Sequence, residues 1–575
     1  MDDRRTLVVR ALLAILLAAL AGPARADWPS DPSQFVTLTP GGRNTMIQSA
    51  CPDGIGGAFV CWGTGFFAAM HVQRLDELGR PSFPGGTWDV PPEDGQAFEL
   101  ASDGVGGAVV LFRHYHYVGP TTVEVQLRRL SSTGDVYWTT AVGTTPVPNY
   151  SQWTRVVFDR SVRRWIVAWL DESQAIERVR VQSVDLNGQV RWATPPTLER
   201  APGENLALGP VEPDGQGGAW VSCWNWEDGH TNASLQHVAS DGAAEWGPSG
   251  ISIPIPSNGS IQQLAGDAQR NLWISVRANE LSDPSDRIQR LRPDGAASFG
   301  VNGLALPHPE RGLRREASLG LVGLDRVFVA WTDNPSGIGW TTQLQALDSS
   351  GTWLGATREL RSGGFGEYLG IRVYPLADGG ALVTSTPNAA AALPVQRVDA
   401  DGSPLWDASV LQPPLAMVGP ESVREVFVPP FPTGDGGIVA FRTLVDSVVT
   451  PEESHPYFVR AQHLDANGQH GVTTTAVAPP RAVHGSALFP PVPSPMTSSA
   501  RVRFVLESEG YVELALHDLG GRRLRTLAEG RWSAGEHALL LTRDEPGSAS
   551  LRPGLYWLRL TASGRADTRE LVVLE

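Results

Sequence analysis

The sequence predicts an all-β protein: an eight-bladed β-propeller of four-stranded blades followed by a small β-sandwich. Three observations predict it. A phrase ending in a turn glycine recurs eight times, a second glycine-rich phrase precedes most copies, and the last 75 residues follow neither pattern. The 575 residues include 62 Gly, 45 Pro and 19 Trp, so many short strands joined by tight turns are expected.

The first phrase reads V-Q-x-L-D-x-x-G and is followed by an aromatic residue. Its glycines are Gly79, Gly134, Gly188, Gly242, Gly295, Gly351, Gly402 and Gly468, at intervals of 55, 54, 54, 53, 56, 51 and 66 residues. Six residues before the glycine stands Gln73, Gln182, Gln236, Gln289, Gln345, Gln396 or Gln462, and only the second copy departs, with Arg128. Four residues after it stands Phe83, Trp138, Trp192, Trp246, Phe299 or Trp406, while the sixth and eighth copies have no aromatic there. The second phrase, D-G-x-G-G-A-x-V-x-W, reads PDGIGGAFVCW from Pro52, SDGVGGAVVLF from Ser102 and PDGQGGAWVSCW from Pro213.

Each repeat yields four strands. In the second they are 98–102, 108–113, 123–130 and 136–140, with apolar and polar residues alternating at the strand period. Asp-Gly and Asn-Gly supply the positive-φ positions that hairpins need. Four strands in a repeat of this length indicate propeller blades, with the recurrent Trp filling the wedge between neighbours. A β-solenoid is the alternative, but its coils are shorter and seldom carry four antiparallel strands.

These repeats resemble those of eight-bladed quinoprotein-like propellers, and VQRVDADGSPLW (395–406) is the closest copy. The resemblance covers most of 45–480 and speaks to blade construction. Envelope-assembly scaffolds and pyrroloquinoline quinone dehydrogenases share it. The dehydrogenases often place an adjacent Cys-Cys pair over the cofactor, which this chain lacks, so no cofactor is expected.

The N terminus reads as a signal peptide over 1–26. Charged residues flank an apolar run from Ala11 to Ala21, and Ala24-Arg25-Ala26 supplies a cleavage site after Ala26. The propeller is expected over 27–482, a proline-rich linker over 483–499, and the sandwich over 500–575. No later apolar run is long enough to span a bilayer, so the mature chain is expected to have no transmembrane segment. The chain has no lysine, which excludes P-loop and Schiff-base chemistry. Residues 27–500 carry 48 acidic residues against 31 arginines, arguing against nucleic acid as a partner. Of the three cysteines, Cys61 should lie opposite Ser49, so pairing it with Cys51 would need a bulge.

The tail resembles the immunoglobulin-like domain of the flagellar hook-capping family and, more specifically, the C-terminal sorting domains of type IX secretion substrates. The matching residues include Asp518, Gly521, Arg522 and Leu527, then Ala534-Gly535, then Pro553-Gly554-Leu555-Tyr556. Ser494 departs, since the family more often has Asn before that proline. The resemblance implies recognition by outer-membrane secretion machinery and a secreted or cell-surface location after periplasmic transit.

No hydrolase or metalloprotease motif appears, so no catalytic residue is assigned. The 1–2 and 3–4 turns are uniform, whereas the 2–3 loops vary, and variable loops on a rigid scaffold are where binding resides. His114, Tyr115, His116, Trp226, Asp228 and His230 are the candidate ligand-binding residues on that face. Rings flanked by carboxylates suit a carbohydrate or a cationic peptide. A metal held by His114 and His116 would need a third ligand from another blade, and no metal site is assigned. The expected function is a secreted or surface binding protein without enzymatic activity. A secreted propeller hydrolase, lyase or quinoprotein and an envelope-assembly scaffold are the alternatives.

Overall fold

The computed structural model describes residues 28–574 except 32–33, 40–44, 65–69, 85, 91–96, 117–121, 147–153, 172–176, 200–205, 226–231, 256–258, 278–285, 308–312, 324, 335–340, 362–367, 377, 388–394, 407–421, 426–428, 434–435, 446–456, 472–486, 489–490, 492–495, 497–498, 507–509, 519–521, 533–534, 545–549 and 563–564. The proposed signal peptide therefore lies outside the described residues. Every regular element among those described is a strand, and the chain divides into two compact units, 1–473 and 474–575.

The first unit is the eight-bladed propeller. Blade 1 runs Met46–Pro52, Ala58–Gly63, Met70–Leu75 and Trp88–Val90, each strand pairing antiparallel with the next. Blades 2 to 6 repeat this over 97–146, 154–199, 206–254, 260–305 and 313–361. Blade 7 shows three described strands over 368–398. In blade 8 the strands Ser422–Glu425, Ile438–Val445 and Tyr457–Leu464 are completed by Val36–Thr37, from the start of the chain. Val36 pairs with Ala461 and Thr37 with Arg460.

Closure is visible in the packing. Each of eight apolar clusters joins one blade to the next, from the blade 1–2 cluster around Phe83 and Phe112 to the blade 7–8 cluster around Trp406 and Ile438. The eighth unites Trp28, Val36, Phe431 and Phe441 with Ile47 and Trp62, sealing blade 8 onto blade 1.

The repeat's residues explain the joints. The D-x-x-G glycines have φ near +80° to +90°, a region that L side chains rarely adopt. Seven of them, Gly79 to Gly402, also seat an aromatic ring of the preceding blade. A Cβ on Gly188 would lie 2.7 Å from the Trp138 ring, and one on Gly242 2.8 Å from Trp192. Trp138 and Trp192 then donate their indole N–H to Leu186 O (2.9 Å) and Ser240 O (3.0 Å) of those turns. The eighth repeat has no aromatic of its own, and Trp28 takes the place. A Cβ on Gly79 would lie 2.6 Å from its ring, and its indole N–H donates to Glu77 O at 3.1 Å. The sixth repeat, also lacking the aromatic, seats Phe328 from its second strand against Gly402.

The recurrent glutamine acts as a main-chain clamp. Gln182 accepts from Trp192 N at 3.1 Å and donates to Trp192 O at 2.9 Å, holding the aromatic segment where direct strand pairing has lapsed. Gln236, Gln289 and Gln396 do the same for the segments carrying Trp246, Phe299 and Trp406. Gln462 donates to Gln34 O, so the N-terminal segment is clamped like any fourth strand. In blade 2 the fourth strand pairs from Val136 onward, and Arg128 instead donates to Thr139.

The second unit is a β-sandwich with seven strands among the described residues. One sheet is ordered Ala487–Leu488, Ser499–Leu506, Gly535–Thr542, and the other Arg523–Trp532, Gly510–His517, Gly554–Ala562, Arg565–Val573. The stretch 483–499, read from its prolines as a linker, differs from that expectation. Leu488 and Met496 are fully buried in the sandwich core, and Met496 pairs in parallel with Val573. Proline excludes a central strand but not an edge strand or a short bridge.

The clamp generates a prediction. Gln182→Met keeps the length and removes the amide, leaving the buried Trp192 N–H and C=O without that partner. Urea unfolding should show a loss of about 2–4 kcal/mol, whereas Arg128→Met should cost under about 1 kcal/mol.

Candidate functional site

From blade 1 to blade 7 the first strand of each blade abuts the first strand of the next, so these strands line the ring's axis. All described inner strands except that of blade 3 carry a register shift. Beside these shifts, side chains bridge adjacent blades. Ser49 accepts from Leu100 N (3.0 Å), Glu99 from Val156 N (2.6 Å), Glu212 from Gly266 N (3.5 Å), Gln263 from Leu319 N (2.9 Å) and Ser318 from Val373 N (3.0 Å).

Two of these pins are carboxyls. Burial pushes both Glu99 and Glu212 up to about 7, opposed at Glu99 by Arg155 and reinforced at Glu212 by the Asp159 carboxylate. The free thiol of Cys51 is likewise pushed far up, first by burial and then by Asp53, and burial raises Cys61 to about 12. Cys61 pairs with Ser49 across the hairpin, as its spacing predicted.

A cavity of about 420 Å³ opens where the inner strands of blades 1 to 4 run into their 1–2 turns. Cys51, Ser102, Phe158, Asp159, Arg160 and Glu212 are among its lining residues. It lies at the uniform-turn end of the blades, which the sequence pattern had set aside as structural.

The turns there are built by aspartates. Asp53 Oδ1 accepts from Ile55 N and Gly57 N, both at 2.8 Å, while Oδ2 takes the Arg74 guanidinium at 2.6 Å. Asp103–Arg129 repeats this arrangement in blade 2, and Asp214–His237 in blade 4. The D-x-x-G aspartates cap their own turns in the same manner, as Asp185 does for Asn187 N and Gln189 N. Their oxygens are thereby engaged by the backbone.

The six loop-face candidates fare unevenly. His114, Tyr115 and His116 belong to the strand Ala108–His116 rather than to a loop, opposite Glu124, Val123 and Thr122. The hairpin extends because β-branched Thr122 and Val123 continue the partner strand. Trp226, Asp228 and His230 lie outside the described residues.

In the sandwich, Asp518 donates its backbone N–H to Arg522 O and accepts the Arg522 N–H on its carboxylate at 2.9 Å, closing a hairpin. Gly521 lies outside the described residues. Gly535 and Gly554 open strands and pair with Leu506 and Val573. Tyr556 is buried and donates its hydroxyl to Arg552 O at 2.7 Å, pinning the start of its strand to the preceding turn. Each described residue of the sorting phrase thus has a structural role.

No family model matches the sequence, and no curated protein matches it. Among solved structures, the chain is similar to apo prolyl oligopeptidase B from Galerina marginata, with 9% identity over 60% of this chain and 48% of that one and a TM-score of 0.32. It is also similar to PorZ, described as an essential surface component of the type IX secretion system of Porphyromonas gingivalis. There the identity is 10%, over 92% of this chain and 82% of that one, with a TM-score of 0.22. Regucalcin, a calcium-binding protein of Agrobacterium tumefaciens, gives 10% identity over 51% and 89%, with a TM-score of 0.24. The chain spans about half the length of the prolyl oligopeptidase. At these scores the likenesses assign no function.

The two raised glutamates set a pH dependence. The folded chain holds these protons more tightly than the unfolded one, whose carboxyls titrate near 4.5. Their stabilising contribution is therefore complete below that value and lost as pH rises through about 7. Calorimetry should show the propeller melting higher at pH 5 than at pH 8, and Glu99→Gln with Glu212→Gln should flatten that difference.

Proposed function

We propose that this chain is a secreted or cell-surface binding protein without enzymatic activity, exported through its C-terminal domain. The carrying observation is how the repeat spends its polar residues. The recurrent Asp, Gln and aromatic side chains bond within and between blades, so the ring is a scaffold. What varies from blade to blade, the 2–3 connection, is left to contact a ligand. By their place in the sequence His114, Tyr115, His116, Trp226, Asp228 and His230 are the candidates for this face, and their rings and carboxylate suit a carbohydrate or a cationic peptide.

Export through outer-membrane secretion machinery rests on the resemblance of the tail, supported by its compact immunoglobulin-like fold. Among the described residues no helix is long and apolar enough to cross a membrane.

Glycan and peptide arrays probed with the full mature chain should identify a ligand. The triple change His116→Ala, Trp226→Ala, His230→Ala should then weaken binding about tenfold or more while shifting the melting temperature by under about 2 °C. Undiminished binding by that variant would remove the ligand from this face.

A further inference from the structure

A strand at the rim of a sheet leaves backbone N–H and C=O groups unpaired, and proteins guard such edges by keeping them short or charged. The outer strands of the blades follow that rule with one exception. Trp88–Val90, Thr197–Glu199, Ile251–Pro254, Leu304–Ala305 and Val36–Thr37 are 2 to 4 residues long. Trp353–Arg361 in blade 6 has 9 residues and carries Arg358, Glu359 and Arg361. Blade 7 has no fourth strand among the described residues.

The exception is Val136–Pro146 of blade 2, which has 11 residues, VYWTTAVGTTP, and no charge. Most of them are β-branched or aromatic, the types that favour strands. The strand pairs on one side only, with Thr122–Leu130, and among the described residues no other backbone group bonds to it. Blade 3 holds it in place: Val142 is buried, the Thr140 hydroxyl donates to Gly188 O at 2.7 Å, and a Cβ on Gly143 would lie 2.3 Å from the Trp169 ring. Two register shifts bend it, and Trp138–Ala141 runs in unbroken register between them. Thr139, Ala141 and Thr144 are exposed, as are Val136 and Tyr137 at 47% and 60%. A strand already ordered in this way loses little entropy on pairing.

Charge selects the occupant. Residues 27–500 carry 48 acidic residues against 31 arginines, so two copies repel over most of their surface. Along this strand they do not. Ala141 is its middle residue, and antiparallel pairing over the full length sets Ala141 against Ala141, Thr139 against Gly143 and Val136 against Pro146. The nearest charge, Asp135, precedes the strand, so its two copies are carried to opposite ends. A charged peptide would find no countercharge here, whereas a second copy offers neutral cross-strand pairs. We propose that Val136–Pro146 is a dimerisation edge, at which two copies of the chain pair antiparallel about a two-fold axis and join their second blades into one sheet. This does not depend on the proposed surface ligand.

Sedimentation equilibrium of the full mature chain should show reversible monomer–dimer exchange at micromolar concentrations. Ala141→Glu sets two carboxylates face to face and should weaken dimerisation about tenfold or more, with the circular dichroism spectrum unchanged. Ala141→Arg should do the same, and an equimolar mixture of the two variants should dimerise again. Leu354→Glu, on the charged outer strand of blade 6, adds the same charge and should leave dimerisation unaltered. Thr144→Glu, another exposed position of the strand, should weaken it and serves if the Ala141 variants fail to fold. A chain that stays monomeric overturns the proposal and leaves the edge to a strand of another protein. Dimerisation that Ala141→Glu leaves intact, or that Leu354→Glu weakens equally, overturns it as well, as does a mixture of the two Ala141 variants that stays monomeric.

Discussion

The propeller depends on one contact made again and again: an aromatic ring of one blade lying on the turn glycine of the next. The glycine is required twice over, by a positive φ and by the ring that fills the space of a Cβ. Where the ring is Trp28, Trp138, Trp192 or Trp406 it also donates its indole N–H to a carbonyl of that turn, so the contact sets distance and orientation together. A chain of such joints becomes stable as a ring only if the last blade meets the first. That step falls to Trp28, which supplies the aromatic that the eighth repeat lacks, and to Val36–Thr37, which pairs with blade 8 as a fourth strand. Closure of this kind joins the two ends of the propeller through side-chain packing and strand pairing, with every cysteine left as a free thiol.

The polar residues of the repeat serve the same end. Aspartates shape turns, arginines neutralise them, and glutamines replace a missing stretch of ladder. Such groups are buried safely only when fully partnered. Variation in the 2–3 connections is of another kind: it leaves the ring untouched and changes only what is presented.

Much of this was legible in the sequence. The eightfold period, the strand order within a blade and the opposition of Cys61 to Ser49 follow from spacing and alternation alone. The clamp role of Gln182 was visible as a recurrence but not as a mechanism, since a lapse in strand pairing leaves no mark of its own. Trp28 was not legible as the eighth aromatic, because it stands at the far end of the chain from the repeat it completes and belongs to no recurring phrase. Met496 was hidden by its prolines, which signal a linker yet permit one parallel bridge.

The central claim, that the N-terminal segment is a working part of blade 8, is tested most directly by native-state hydrogen exchange. The mature chain should be compared with one lacking residues 28–39. The account predicts that amides of Tyr457–Leu464 and Met46–Pro52 lose protection on deletion, while those of blades 3 to 5 exchange much as before. Unchanged protection of Tyr457–Leu464 in the shortened chain would contradict it.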